Sequence, residues 1–230
     1  MLILSLDTTT RAGSVAMVRD GVVVYEQSGD ASLTHAQRLP ADLMTACRAA
    51  GVRITEVGLF AVAAGPGSFT GLRIGIATIQ GLALAGNRRV VPVSTLEALA
   101  AAAVGDSPRV AAWIDAHRGE VFAQMFDREQ GSVAPAGAAI SAVAERVLAA
   151  HAALIHGAEF HGDGAIRYRQ QIAAHRPTAV IADDVPPLAG ALGVIAARHP
   201  ERAVLPHAIV PIYVRRPDAE IARDRRAAGA

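Results

Sequence analysis

Short apolar runs divide the first half of the chain into a regular series of predicted strands and helices. Three runs separated by turns predict a three-stranded meander, at residues 2–7, 14–18 and 22–25. A helix begins at the capping-box pair Thr34 and Gln37 and ends at Gly51. We expect it to bend near Pro40, which lacks a backbone N–H. The elements that follow are a strand at 59–64, a helix at 69–85, a strand at 90–93 and a helix at 95–103.

The second half of the chain repeats this βββαβαβα order in outline. Its predicted elements are strands at 110–115 and 121–126, a helix at 141–150, a strand at 158–161, a helix at 166–174, a strand at 179–181 and a helix at 188–198. Each half opens with a strand that ends in an aspartate before a turn, at Asp7 and Asp115. The pattern predicts two lobes, residues 1–104 and a smaller, more degenerate 109–230, with both aspartates facing one cleft.

Composition narrows the class of protein without naming an activity. The 230 residues are 52% hydrophobic and 19% charged, which is typical of a folded globular protein. The net charge of +1 gives no broad positive field for binding nucleic acid unaided. Cys47, the one cysteine, is expected to be a buried, inert thiol. The first seven residues lack a basic leader and no apolar run reaches membrane-spanning length, so we expect a cytoplasmic protein.

Two segments carry the residue types that bind phosphates or cations. The turn after the first strand, Asp7-Thr8-Thr9-Thr10, combines a carboxylate with three hydroxyls, which suits a phosphate or a hydrated cation. The same residues also suit an ordinary turn closed by the aspartate. The run from Gly65 to Gly75 joins a buried strand to a helix through a glycine loop, a position that can hold an anion. It lacks the Gly-Lys-Ser/Thr of a Walker A loop.

The helix after the glycine loop carries small residues at helical spacing: Gly71, Gly75, Thr78 and Gly81. Each glycine lowers the stability of a helix by about 1 kcal/mol relative to alanine. Close packing of another element against these positions should compensate for that loss. That element is either the chain's own sheet or a partner helix, and both explanations stay open. A partner interface requires Gly75 to face outward.

Histidines and serines give no support to a metal or hydrolase site. His35 has Leu39, not a second histidine, one helical turn further on, so a two-histidine metal site cannot form there. The other histidines lack His-Glu-x-x-His spacing, and no Gly-x-Ser-x-Gly motif occurs. The arginines near the end alternate with acidic residues as in a solvated tail, with contact to nucleic-acid phosphates as the alternative; they are Arg215, Arg216, Arg223, Arg225 and Arg226.

Six segments together resemble one known family, at residues 6–9, 34–40, 65–75, 115–121, 162–165 and 211–215. They are similar to the TsaB/YeaZ family, occur in that family's order and cover most of the chain. The resemblance implies an actin/Hsp70-like (ASKHA) two-lobed α/β fold. It also implies a non-catalytic scaffold in the machinery that places a threonylcarbamoyl group on N6 of the adenosine beside the tRNA anticodon.

In that machinery the expected partners are a TsaD-like transferase subunit and a TsaE-like ATPase, with tRNA contacted only within the complex and a homodimer as a further state. The implied partner interface comprises His35, Arg38, Leu39, Leu43, Gly71, Arg73, Ile74, Gly75 and Thr78. A vestigial nucleotide site, binding ATP or ADP weakly at most, would comprise Asp7, Thr8, Thr9, Asp115, Gly162 and Gly164. No catalytic residue, resident cofactor or metal is expected.

Two enzyme hypotheses compete with the scaffold. The first is an independent ATPase or sugar-kinase-like phosphotransferase that uses Asp7 and Asp115 around a metal-bound nucleotide in the cleft. The second is a metal-dependent hydrolase, against which the missing second histidine argues. Stoichiometric nucleotide binding would favour the first and a tightly bound metal the second.

Overall fold

The computed structural model describes residues 1–129 and 132–215. Its first half contains β1 (Leu2–Asp7), β2 (Ser14–Arg19), β3 (Val22–Ser28), α1 (His35–Ala49), β4 (Leu59–Gly65), α2 (Phe69–Ala85), β5 (Arg89–Ser94) and α3 (Thr95–Ala102). The strands form one sheet in the order β3-β2-β1-β4-β5, with the first three antiparallel and the last two parallel to β1. The predicted meander and the βββαβαβα order are confirmed.

The second half contains β6 (Arg109–Asp115), β7 (Glu120–Glu129), β8 (Ser132–Pro135), β9 (Ile140–Val143), α4 (Ala144–Ala150), β10 (Glu159–His161), α5 (Asp163–Arg167), α6 (Arg169–His175), β11 (Val180–Ile181) and α7 (Ala189–Arg198). A second sheet has the order β11-β10-β6-β7-β8, and β9 also pairs with β7. The duplicated order is present, with two strands that were not predicted, β8 and β9, and with one divided helix.

The structure corrects the bounds of two predicted helices. The helix expected over 141–150 begins only at Ala144, because residues 140–143 pair with β7 and Ser141 donates a hydrogen bond to Glu120 at 3.0 Å. The helix expected over 166–174 is two short helices that meet at Tyr168. Tyr168 packs in the apolar core between this pair and the second sheet.

Five layers make up the protein. Helices α1 and α2 cover the outer face of the first sheet, and α4, α5 and α6 cover the outer face of the second. Between the sheets, α3 and α7 share one apolar core with strands of both. Cys47 lies on the inner face of α1 and is buried, as expected, and burial raises the pKa of its thiol. This is the two-lobed α/β fold of actin/Hsp70 type.

Helix α7 belongs to the first lobe, which corrects the assignment of residues 109–230 to a single second lobe. It packs against β1, β2 and β4. Ser14 Oγ accepts hydrogen bonds from the backbone N–H groups of Leu188 and Ala189, at 3.1 and 3.0 Å, and so satisfies groups at the start of the helix. A Cβ on Gly193 would lie 2.4 Å from Val18, so this glycine permits the close approach to β2. Further on, Val204 pairs with Val90 of β5.

The small residues of α2 pack against the chain itself. A Cβ added to Gly71 would lie 1.9 Å from the backbone oxygen of Thr8, and one added to Gly75 would lie 2.1 Å from the Thr8 hydroxyl. Of the two explanations left open, packing on the chain itself therefore holds at Gly71 and Gly75, and the assignment of these two glycines to a partner interface is corrected. Gly81 differs, because a Cβ there would meet nothing within 4 Å.

In the described residues, no helix is long and apolar enough to cross a bilayer. The arginines at positions 216, 223, 225 and 226 lie outside the described residues.

We expect Gly71→Ala to destabilise the fold and Gly81→Ala to stabilise it. The methyl group that Gly71→Ala introduces would displace the backbone of Thr8. Such overpacking should lower the free energy of unfolding by about 1–3 kcal/mol. At Gly81 the space is open, so the gain in helix propensity of about 0.5–1 kcal/mol remains. Urea unfolding of the two variants and of the wild type measures the change in the free energy of unfolding for each substitution. A Gly71→Ala variant as stable as Gly81→Ala would contradict the contact with Thr8.

Candidate functional site

The cleft between the lobes contains two adjoining cavities. The larger, of ≈ 510 Å³, is lined by residues of both lobes, among them Thr9, Thr10, His35, Ser68, Asp115 and Asp163. The smaller, of ≈ 150 Å³, is lined by Asp7 and shares Thr10 and Asp163 with the larger one. The predicted aspartates thus meet at one cleft from opposite lobes, although each borders a different cavity.

Asp7 closes the turn that follows β1. Its carboxylate is 1% exposed and accepts hydrogen bonds from the Thr9 backbone N–H at 2.8 Å and from the Thr9 hydroxyl at 2.6 Å. Burial raises the pKa of Asp7, and the bonds from Thr9 act in the opposite direction. The carboxylate is already satisfied inside the chain, so its geometry is that of an aspartate-closed turn.

The other groups of this turn are also engaged within the chain. The Thr8 hydroxyl donates to the backbone oxygen of Gly71 at 2.7 Å, and the Ser68 N–H donates to the backbone oxygen of Thr9 at 3.0 Å. The Thr10 hydroxyl accepts from the Gly13 N–H at 3.0 Å. These donors are therefore engaged within the chain, either between the turn and the start of α2 or inside the turn, which counts against phosphate binding by the same groups.

Asp115 and Asp163 form the matching arrangement in the second lobe. Asp163 accepts a hydrogen bond from the Asp115 N–H at 2.9 Å, and Asp115 accepts one from the His117 N–H at 3.0 Å. Arg167 lies 3.4 Å from the Asp115 carboxylate and balances its charge. Burial and then the charge of Asp115 raise the pKa of Asp163, although hydrogen bonds from the Asp115 and Gly164 N–H groups oppose this shift.

Gly162 and Gly164, assigned to the vestigial nucleotide site, lie against the backbone of β6. Gly162 has φ +108°, and a Cβ there would lie 2.1 Å from the backbone oxygen of Trp113. A Cβ on Gly164 would lie 2.9 Å from the carbonyl carbon of Ile114. Close packing of α5 on β6 is thus sufficient reason for both glycines.

Helix α1 directs several of the predicted interface residues into the protein. Arg38 is 4% exposed and donates hydrogen bonds to the Ala12 backbone oxygen and to Asp42, with His35 Nδ1 at 2.8 Å. Leu39 and Leu43 belong to the apolar core beneath the helix. The assignment of Arg38, Leu39 and Leu43 to a partner interface is corrected, because the chain itself buries all three side chains.

His35 is half-buried between α1 and the turn after β1. Burial, and then the Arg38 guanidinium, lower its pKa, so the ring is neutral at physiological pH. Its Nδ1 faces a guanidinium donor. Within residues 1–129 and 132–215, no group of three histidine, cysteine, aspartate or glutamate side chains is placed to hold a metal.

The exposed part of α2 carries the accessible members of the predicted interface. Arg73 is exposed and lies over the Phe69 ring, with its Cζ 3.8 Å from the ring centre, and Tyr213 lies 5.9 Å from Phe69. Ile74 and Thr78 are half-buried. Met44 and Leu84 are also exposed on these helices, and helical spacing alone does not reveal the exposure of a single apolar residue. The role of Arg38 as a buried structural anchor likewise has no signal in the sequence.

Comparisons with known proteins agree with the fold. The family model "TsaD: tRNA N6-adenosine threonylcarbamoyltransferase" matches residues 23–223. The TsaB protein of Escherichia coli is 38% identical over 135 residues, 58% of each chain, so the match spans little more than half of that relative. An uncharacterized protein of Mycobacterium tuberculosis is 30% identical over 220 residues, 95% of this chain and 93% of that protein.

A solved structure gives the same result over nearly the whole chain. YeaZ from Pseudomonas aeruginosa has a TM-score of 0.79 and 33% identity and covers 92% of this chain and 99% of its own. Sequence and fold therefore agree over both lobes. The chain belongs to the TsaB/YeaZ family.

Proposed function

We propose that this chain is a non-catalytic scaffold or activator subunit in the biosynthesis of N6-threonylcarbamoyladenosine in tRNA. In this proposal it pairs in the cytoplasm with a TsaD-like transferase subunit, helps to recruit a TsaE-like ATPase and meets tRNA only within the complex. Three relatives that are 31–38% identical carry the name "tRNA threonylcarbamoyladenosine biosynthesis protein TsaB". Each match covers 56–58% of the relative, so the role of the whole protein is inferred from part of it.

The observation that carries the scaffold role is the apolar character of the outer helix layer. Met44 on α1 is 56% exposed, and Phe69 and Leu84 on α2 are 41% and 72% exposed. The same side of α2 carries small exposed residues at Ala77 and Gly81. Large apolar side chains beside small residues on an exposed helix pair are typical of a surface that another protein covers.

The internal bonding of the cleft supports a non-catalytic role. A phosphotransferase needs a carboxylate and phosphate donors that are free to meet the nucleotide. Here Asp7 and the hydroxyls of Thr8 and Thr9 bond within the chain. The independent phosphotransferase remains the alternative because the larger cavity has room for a ligand beside Asp115.

Replacing Gly81 on the exposed side of α2 should separate folding from partner binding. We expect Gly81→Arg to fold normally, because open space surrounds the position, and to weaken binding of the TsaD-like subunit at least about tenfold, or about 1.4 kcal/mol. Any homodimer formed through the same face should weaken in parallel, as a self-complementary patch requires. Native mass spectrometry of the chain mixed with its TsaD-like partner, beside thermal unfolding of each variant, gives both quantities.

Val22→Arg provides a matched control, because Val22 is 65% exposed on the edge strand β3 and not on the outer helix layer. It should leave the complex intact. Full-strength binding by a folded Gly81→Arg variant would place the interface elsewhere, and equal losses in both variants would show a nonspecific effect of charge.

Isothermal titration should detect no stoichiometric binding of magnesium-ATP or ADP to the isolated chain at micromolar concentrations. The physical reason is that the Thr8 hydroxyl donates to Gly71 of α2, while the Thr9 N–H and hydroxyl donate to Asp7. Asp115→Asn serves as the comparison, since Asp115 lines the larger cavity. One-to-one binding that this substitution removes would favour the phosphotransferase over the scaffold.

A further inference from the structure

The described chain crosses between the lobes three times. The first crossing, residues 104–108, precedes β6 and lies at the end of the sheets remote from the cleft. The second, residues 182–188, leads from β11 to α7 and lines the cavity beside Asp7. The third, residues 209–215, begins on the first lobe, and the Arg215 side chain joins its far end to the second lobe.

The third crossing is anchored first to the junction of β4 and α2. Ile209 is buried in the core beneath α2, and the Ile212 N–H donates to the backbone oxygen of Ala64 at 2.7 Å. Gly65 permits this approach, since a Cβ there would lie 2.6 Å from the Ile212 backbone oxygen. The ring of Tyr213 then lies beside Phe69. The segment thus has backbone and aromatic contacts to the first lobe.

Arg215 joins the same segment to the turn between β6 and β7. Its guanidinium donates to the backbone oxygen of Ala116 and to Glu120 Oε2, both at 3.0 Å, and lies 5.7 Å from the ring centre of Phe122. Ser141 donates to the same Glu120 oxygen and fixes its position. Two hydrogen bonds to a charged donor hold the turn more firmly than neutral ones would.

We propose that residues 209–215 form a strap that fixes the opening between the lobes, with Arg215 as its releasable end. The crossing at 104–108 lies at the other end of β6 from the turn that Arg215 holds, and a seven-residue strand spans about 23 Å. The lobes are therefore joined covalently at the far end of β6 and, beside Asp7, by residues 182–188, and the strap adds a noncovalent connection at the turn. The turn carries Asp115 and His117 into the larger cavity, so the strap also sets the shape of the cleft wall.

This inference does not depend on the proposed function. Tyr213 contacts the first lobe and Arg215 contacts the second. Loss of either contact should therefore increase the mobility of the turn between β6 and β7. We expect Arg215→Ala to raise amide hydrogen exchange at Ala116 and Glu120 about threefold to tenfold, the effect of losing partly exposed, charge-assisted bonds. Tyr213→Ala should raise it too, although its ring contacts α2 and not the turn.

A distance measurement tests the opening itself. Spin labels on Ala77→Cys and Arg146→Cys lie on exposed positions of α2 and α4, in the two outer helix layers, while native Cys47 is buried. Arg215→Ala should broaden the distance distribution and shift it to longer values. Arg202→Ala is the control, because Arg202 pairs with Glu97 at 2.8 Å and has no contact to the strap or the turn among those described.

Three outcomes would overturn the strap. Exchange at the turn that is unchanged in Arg215→Ala would show that Arg215 does not hold it. An equal rise in Arg202→Ala would show a general loss of stability. Faster exchange with an unchanged distance distribution would show that Arg215 supports the turn without fixing the lobes. Thermal unfolding of each variant confirms that the compared proteins are folded.

Discussion

The contact between the turn after β1 and the start of α2 organises this protein. Thr8 fits against α2 only because positions 71 and 75 lack side chains, and its hydroxyl then bonds to the backbone of Gly71. The turn, held in place, gives Asp7 its position beneath Thr9. A phosphate-binding loop would instead leave such groups facing the cleft. The same close packing that stabilises the first lobe thus engages the Thr8 hydroxyl, and the turn it supports pairs Asp7 with Thr9.

Arg38 extends this arrangement to α1. The buried guanidinium reaches the turn at Ala12, the carboxylate of Asp42 and the ring of His35. A buried cation is tolerated because it is paired and hydrogen-bonded. The outer helices are consequently fastened to the turn from beneath, and their outward sides remain free to carry apolar residues such as Met44 and Leu84. Internal anchoring and external contact use different faces of the same helices.

Most strands and helices could be predicted from periodicity, because each apolar run faces one or both neighbouring layers. The β1–β3 meander and α2 follow directly from such runs. The destination of α7 could not be predicted, since its apolar pattern fits either sheet and contacts distant in sequence, such as those of Ser14 and Gly193, make the first sheet its partner. For the site, the sequence identified Asp7, Asp115 and the glycine run. It could not decide whether Gly75 contacts a partner or Thr8, because spacing defines a helix face but not what lies against it.

The return of α7 to the first sheet also has a consequence for the order in which the protein can be completed during synthesis. The inner face of that sheet contains Ile3, Val18 and Leu59, and α7 supplies part of its cover through Leu192 and Ile195. These covering residues are translated only after the whole second sheet. A nascent chain that has emerged as far as β11 therefore exposes apolar surface on a lobe whose strands were made first, and the core of that lobe is completed only when α7 has been made.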